Sequence, residues 1–369
     1  MKARIGIDTR MIQHTGIGSY LQGLLEGLDR TETVRRFEFC LFGGKENFEL
    51  ASMRRHRFQS KIYSIQEQLE YPFHLRGCEL WHAPHYNVPL FKGKTKLVVT
   101  IHDLIHWIFK DDFFTPLQAF YTQKMIREAV QKSDHIITVS QKTKEDLVFH
   151  FDADPDRISV IYEAVSGEFQ PEKNPEEFEA LKARYRLPDS FFIYVGMIKP
   201  HKNVLWLVRL FKKLKKEGKV DSMLVLVGKK DKRYPRGFEA LTELKNDNEI
   251  IHIPFLDRRE LICLYSHALA LIHPSLYEGF GLTLLEAMAC GTPVIACRSA
   301  SVPEVVGEAA CLVDSCAERD MREAIVRLEK FPNLRMDLSR KGSQHVKQFS
   351  WQETASKTAE IYERILSQA

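Results

Sequence analysis

Two glutamates, Glu278 and Glu286, bracket a glycine-rich turn, Gly279-Phe280-Gly281, and a short apolar run from Leu282 through Thr283 to Cys290. Glycines at the start of a helix let backbone N–H groups come close to a ligand. The helix N-terminus adds unpaired donors and a partial positive charge, which together suit a diphosphate. A carboxylate beside a diphosphate is unfavourable unless it accepts hydrogen bonds from something else, and sugar and ribose hydroxyls are the natural donors. Gly291 stands at the position just past the helix and Pro293 prevents its continuation, so a strand begins at Val294. Two isolated glutamates would read as surface residues; the glycine pair between them argues otherwise.

Three further sets of residues stand out. The loop Gly196-Met197-Ile198-Lys199-Pro200-His201-Lys202-Asn203 follows an apolar strand and carries Lys202, which on its own would read as a solvated loop lysine. Gly16-Ile17-Gly18 lies between the first strand and the first helix. It is half of a dinucleotide fingerprint, but Leu21 stands where a third glycine would, which removes most support for a Rossmann oxidoreductase or epimerase. His102 follows the apolar strand Leu97–Ile101, where doubly wound sheets place ligand contacts, and Asp103 is placed to support that loop or the histidine.

Short apolar runs alternate with longer amphipathic segments along the whole chain, the pattern of parallel βαβ units. Strands are expected at Ile5–Asp8, Phe37–Phe42, Leu80–His82, Leu97–Ile101, Ile136–Val139 and Ile158–Ile161. A second series comprises Phe191–Val195, Met223–Val227, Ile250–Ile253, Ala270–His273, Val294–Cys297 and Ala310–Val313. Two series imply two doubly wound domains, residues 1–165 and 190–350. Residues 166–189, with Gly167, Pro171, Pro175 and Pro188, read as the linker. The last segment, 351–369, begins after an expected Ser350 N-cap and is an amphipathic helix.

At 369 residues, 44% apolar and 28% charged, the chain has the composition of a soluble globular protein. A net charge of +4 does not argue for nucleic acid. One basic run, Arg54-Arg55-His56-Arg57 with Lys61, is suited to peripheral contact with anionic lipid on the inner face of the membrane. No stretch approaches a membrane span and the start is too polar for a signal peptide, so a cytoplasmic location is expected. The seven cysteines (40, 78, 263, 290, 297, 311, 316) form no C-x-x-C pair and read as reduced thiols. Asp152-Ala153-Asp154-Pro155-Asp156 contains D-x-D, yet its proline and position mark a turn rather than a metal motif. No metal and no other cofactor is expected.

The window from Glu278 through Glu286, continuing Ala287-Met288-Ala289-Cys290-Gly291-Thr292-Pro293-Val294, resembles the donor motif of the retaining, GT-B-fold glycosyltransferases of family 4. The resemblance covers essentially the whole chain. It implies two Rossmann-like domains, an active site in the cleft between them, and a last helix that crosses back to the first domain. It also implies a nucleotide-sugar donor on the C-terminal domain and a glycan or lipid-linked acceptor on the N-terminal one. By resemblance Glu278 meets the transferred sugar and Glu286 the ribose. The backbone of Gly279, Phe280, Gly281, Leu282 and Thr283 holds the diphosphate with Gly196 and Lys202. Gly16 and Gly18 approach the donor, Ile253 meets the base, and His102 lies against the sugar. Relatives often carry Arg at the positions of Met197 or His201 and Pro at that of Thr283. The overall pattern is most similar to bacterial mannosyltransferases of surface-polysaccharide assembly, which favours GDP-mannose over UDP-hexoses. A non-catalytic nucleotide-sugar-binding module is the alternative.

Overall fold

The computed structural model describes all residues except 1, 32–35, 44–49, 51, 114, 173, 231–248, 315–316 and 369. The chain forms two compact units, residues 1–164 with 349–369, and residues 165–348.

The first unit holds a seven-stranded sheet of β1 (Ala3–Asp8), β2 (Phe37–Phe42), β3 (Arg54–His56), β4 (Leu80–Ala83), β5 (Lys96–Ile101), β6 (His135–Thr138) and β7 (Ile158–Val160). The spatial order is β3-β2-β1-β4-β5-β6-β7, and each recorded pairing is parallel. Its helices include α1 (Ile17–Arg30), α2 (Ile65–Leu75), α3 (Pro116–Lys132) and α4 (Gln141–Phe151). Near-continuous apolar strands are what a sheet buried on both faces requires. Ile5, Ile7, Leu80 and Val98 pack on one side, and Cys40, Trp81, Leu97 and Val99 on the other. Strand β3 was not expected, because Arg54-Arg55-His56 has no apolar side chain to bury. It is the edge of the sheet, where charge discourages pairing with another chain. Arg54 pairs with Glu38 of β2 at 3.1 Å.

The second unit holds a six-stranded parallel sheet, in spatial order β10-β9-β8-β11-β12-β13. Its strands are β8 (Phe191–Val195), β9 (Met223–Val227), β10 (Ile250–Ile253), β11 (Leu271–His273), β12 (Val294–Arg298) and β13 (Cys311–Asp314). The main helices are α5 (Pro175–Tyr185), α6 (Val204–Lys216), α7 (Arg258–His267), α8 (Leu282–Ala289), α9 (Glu318–Lys330) and α10 (Pro332–His345). Residues 166–189 differ from the expected free linker. Their helix α5 is capped by Asn174, buries Phe178 and Leu181, and stacks Phe178 on His267 of α7 at 3.9 Å. The prolines that suggested a connection mark the ends of this packed helix.

The final helix, α11 (Trp351–Ser367), belongs to the first unit, where Ala355, Ala359, Tyr362 and Ile365 share a core with Leu21, Leu24 and Leu28 of α1. Glycines make this close packing possible: a Cβ on Gly27 would lie 2.5 Å from the Trp351 carbonyl oxygen, and one on Gly23 would enter the Trp351 ring. Ser350 occupies the N-cap position but makes no side-chain cap; its hydroxyl lies 2.9 Å from Gln352 Oε1. Six cysteines are unpaired and Cys316 lies outside the described residues. Among the described residues no helix is long and apolar enough to cross a membrane.

In each sheet the chain reverses direction of progression once, between β1 and β4 and between β8 and β11. Loops leaving the carboxyl ends of such strand pairs diverge and leave room for a ligand. Gly16 and Gly18 follow β1, Gly196 and Lys202 follow β8, and Glu278 to Gly281 follow β11; His102 follows β5, Ile253 ends β10 and Glu286 lies within α8.

Candidate active site

In the second unit, Lys202 comes from the loop after β8 and Glu278 from the loop after β11, the two strands flanking the reversal. A bond from the Leu276 amide to the His201 carbonyl, 2.7 Å, ties the loops together. Lys202 Nζ donates to both carboxylate oxygens of Glu278, at 2.6 and 2.7 Å. His273 Nε2 lies 2.9 Å from Glu278 Oε1, close but outside hydrogen-bond alignment. Glu278 is buried, which alone would raise its proton affinity. Lys202 and His273 outweigh that and hold the carboxyl well below its usual range. The hydroxyl of Ser301 fixes the same turn from behind, donating to the Glu278 carbonyl at 2.9 Å and the Phe280 carbonyl at 3.3 Å.

Helix α8 starts immediately after this turn. Gly281 is its N-cap with φ +100°, a left-handed conformation that a side chain would strain, and no side chain caps the helix. Gly279 and Phe280 are buried, whereas Gly281, Leu282 and Thr283 are half-buried. The first turn thus combines a lysine, an uncapped helix end and a buried carboxylate, all able to engage a phosphorylated sugar. Gly196 closes the loop after β8, its amide bonded to the Val227 carbonyl at 2.9 Å. The carbonyl of Ile253, at the end of β10, accepts the Gly228 amide at 2.9 Å. His201 is 2% exposed, so it does not stand in for a surface arginine.

Glu286 lies one turn and more along α8, and Tyr265 donates its hydroxyl to Oε2 at 3.4 Å. Burial pushes this carboxyl up to about 7, with Tyr265 and Arg258 opposing the shift only in part. The folded protein therefore holds this proton more tightly than the unfolded chain. The resulting stability is full below about pH 4.5 and is lost as the pH rises through about 7. Glu286→Gln should accordingly stabilise the protein at pH 8, by up to about 3 kcal/mol, and leave it little changed at pH 4. Urea unfolding at the two pH values checks this; equal effects at both would show that Glu286 does not titrate in this range.

In the first unit, the loops after β1, β4 and β5 carry a second group. His102 follows β5 and is held on several sides. Nδ1 lies 2.9 Å from Glu163 Oε1 and Nε2 lies 3.0 Å from the Pro84 carbonyl oxygen. The Thr143 hydroxyl donates to the His102 carbonyl at 3.1 Å, and the Tyr20 ring meets the imidazole edge-on at 4.7 Å. Asp103 supports the loop rather than the histidine, accepting the Ile105 amide at 2.9 Å. Glu163, the residue that does support the histidine, was missed in the sequence. Its only signal was a carboxylate shortly past the carboxyl end of a buried strand, β7. Gly16, with φ +76°, has no atom within 4 Å of its would-be Cβ. Gly18 instead packs against its own loop, where a Cβ would lie 2.6 Å from the Ile12 carbonyl oxygen. Of the D-x-D run, Asp152 ends α4 and Asp154 accepts the Asp156 amide at 3.0 Å.

A charged network beneath these loops was also missed. Arg10 donates to Asp8 Oδ2 at 2.6 Å, Glu67 Oε2 at 2.9 Å and the Tyr71 hydroxyl at 3.0 Å. Its guanidinium lies over the Phe58 ring at 3.7 Å. Asn87 donates to Glu67 Oε2 and the Tyr63 amide to Oε1, both at 2.9 Å.

Residues 165–345 match the family model described as glycosyl transferases group 1, and residues 15–169 match that of glycosyltransferase family 4. The chain is 27% identical over 317 residues to O-antigen chain mannosyltransferase B of Escherichia coli, covering 85% of this chain and 82% of that protein. It is 30% identical over 274 residues to O-antigen chain mannosyltransferase RfbU of Salmonella typhimurium, covering 74% and 71%. The structure of Anabaena HepE in complex with UDP and glucose has a similar fold, with TM-score 0.77 at 16% identity, covering 98% of this chain and 100% of that one.

Proposed function

The chain belongs to the group 1 glycosyltransferases, with the GT-B pairing of two parallel α/β units, and from that premise we propose that it moves mannose from GDP-mannose, with retention of configuration, to a glycan or lipid-linked acceptor in surface-polysaccharide synthesis. The observation that carries the reading is the meeting of Lys202, Glu278 and the uncapped start of α8 at one strand reversal. The mannosyltransferase names of two relatives support the choice of sugar.

In this reading Lys202 and the first amides of α8 take the diphosphate, supplying fixed positive charge where the leaving group gains negative charge. Glu278 exchanges Lys202 for the hydroxyls of the transferred sugar, and Glu286 accepts the ribose hydroxyls. The leaving phosphate assists deprotonation of the acceptor on the same face of the sugar, through an oxocarbenium-like state. No divalent ion is needed, because lysine and backbone donors do the work a metal does elsewhere.

A thermal-shift screen of GDP, UDP and ADP with their sugars, with and without EDTA, tests the proposal. A ligand at 100 times its Kd should add about 2.7 kcal/mol of stability, with GDP and GDP-mannose giving the largest shift. Release of GDP from GDP-mannose should continue in EDTA. Stabilisation by UDP alone would remove GDP-mannose, and activity lost in EDTA and restored by Mn²⁺ would remove metal independence.

A further inference from the structure

We infer that Glu163 is the positioning carboxylate of His102, and that the two act as one unit in the transfer; this rests on the proposed glycosyl transfer and on the place beside the transferred sugar that the family resemblance implies for His102. Glu163 is 4% exposed, and among the described residues the one side-chain partner recorded for it is His102 Nδ1. A buried carboxylate without a donor is costly, so this contact is retained by its own energetics. The other ring nitrogen faces the Pro84 carbonyl oxygen, which can only accept. The ring is therefore held from both ends: Nε2–H donates to the Pro84 carbonyl oxygen, and Nδ1 and Glu163 share a proton across 2.9 Å.

The rest of the environment fixes the ring rather than competing for it. Tyr20 presents its ring edge-on and spends its hydroxyl on Thr100 at 2.9 Å, while Thr100 in turn meets His82 Nε2 at 2.8 Å and His82 Nδ1 meets the Tyr362 hydroxyl at 2.6 Å. Burial, with some repulsion from His102, pushes His82 down to about 3, so it stays neutral and carries no rival charge. His85, also buried, is pushed down as well, first by burial and then by its neighbours His106, His102 and His14. Glu163 is thus the side chain that sets the angle of the imidazole. A catalytic contact displaced by an ångström costs about 100-fold in rate, which is the scale on which losing the carboxylate should act.

The test uses the full chain and four variants: Glu163→Gln, Glu163→Ala, His102→Ala and the double alanine. Release of GDP from GDP-mannose should fall roughly 10- to 100-fold in kcat for Glu163→Ala, with the donor KM within twofold of wild type. Glu163→Gln keeps an acceptor for Nδ1–H and should recover part of that loss. The double variant should be no slower than His102→Ala, because the carboxylate acts through the ring. Nitrogen-15 NMR should show a hydrogen-bonded proton at His102 Nδ1 in the wild type and its loss in Glu163→Ala. A folded Glu163→Ala with normal kcat, or losses that multiply in the double variant, overturns the inference. So does an Nδ1 proton that survives removal of Glu163. If the wild type releases no GDP at all, the mannosyl-transfer reading fails, and the NMR arm still decides the pairing.

Discussion

Arg10→Met should destabilise the first unit by about 3–5 kcal/mol, enough to leave it unfolded in many conditions. The side chains of Arg10, Asp8 and Glu67 are 5%, 8% and 0% exposed, so removing the guanidinium strands two carboxylates in the interior. Methionine fills a similar volume over Phe58, which makes the lost charge rather than a cavity the main term. Adding Asp8→Asn and Glu67→Gln to Arg10→Met should therefore recover much of the loss, since neutral amides cost far less to bury than unpaired anions. Urea titration followed by tryptophan fluorescence measures both, Trp81 lying in the same core as Phe58 and Tyr71. A loss under 1 kcal/mol, or no recovery in the triple variant, would show that the network contributes little.

Glu278→Ala should slow transfer roughly 10- to 150-fold while making free GDP bind more tightly, by about 10-fold. The first effect follows from losing a charged acceptor for sugar hydroxyls, worth about 1.5–3 kcal/mol. The second follows from the pairing seen in the structure: both carboxylate oxygens hold Lys202. A diphosphate must displace that carboxylate and then sit beside it. Alanine removes the competitor and the repulsion together. Lys202→Ala should do the reverse, weakening GDP and leaving Glu278 buried without its main cation. Calorimetry with GDP and steady-state kinetics with GDP-mannose separate the two variants. Weaker GDP binding by Glu278→Ala would mean that the Lys202 contact is not the one the diphosphate takes.

The contrast between these two predictions marks what was legible in the sequence. Glu278, Gly281 and Glu286 could be found because they are local: the turn, the helix start and the helix stop lie within one short window. Strands such as β8 and β9 were readable to the residue because they lie inside the sheet, are almost wholly buried and hence uniformly apolar. What failed was long-range or edge-bound. Arg10 meets Glu67 across 57 residues, and His102 meets Glu163 across 61, with no periodicity to announce either pair. Strand β3 was invisible because an edge strand need not be apolar. The packing of α5 was hidden because its prolines look alike in a linker and at a helix boundary.

The junction of α1 with α11 has a consequence for how the protein is made. The groove floored by Gly23 and Gly27 is filled by residues that follow the whole second unit in the chain. At ordinary elongation rates, residues 165–348 take roughly 10–40 s to emerge from the ribosome. Throughout that interval the nascent first unit lacks the α11 residues that share a core with Leu21, Leu24 and Leu28. The second unit is one continuous stretch, residues 165–348, and is wholly synthesised before α11. Completion of the two cores therefore runs against chain order: the unit that is started first is completed by residues made after the second.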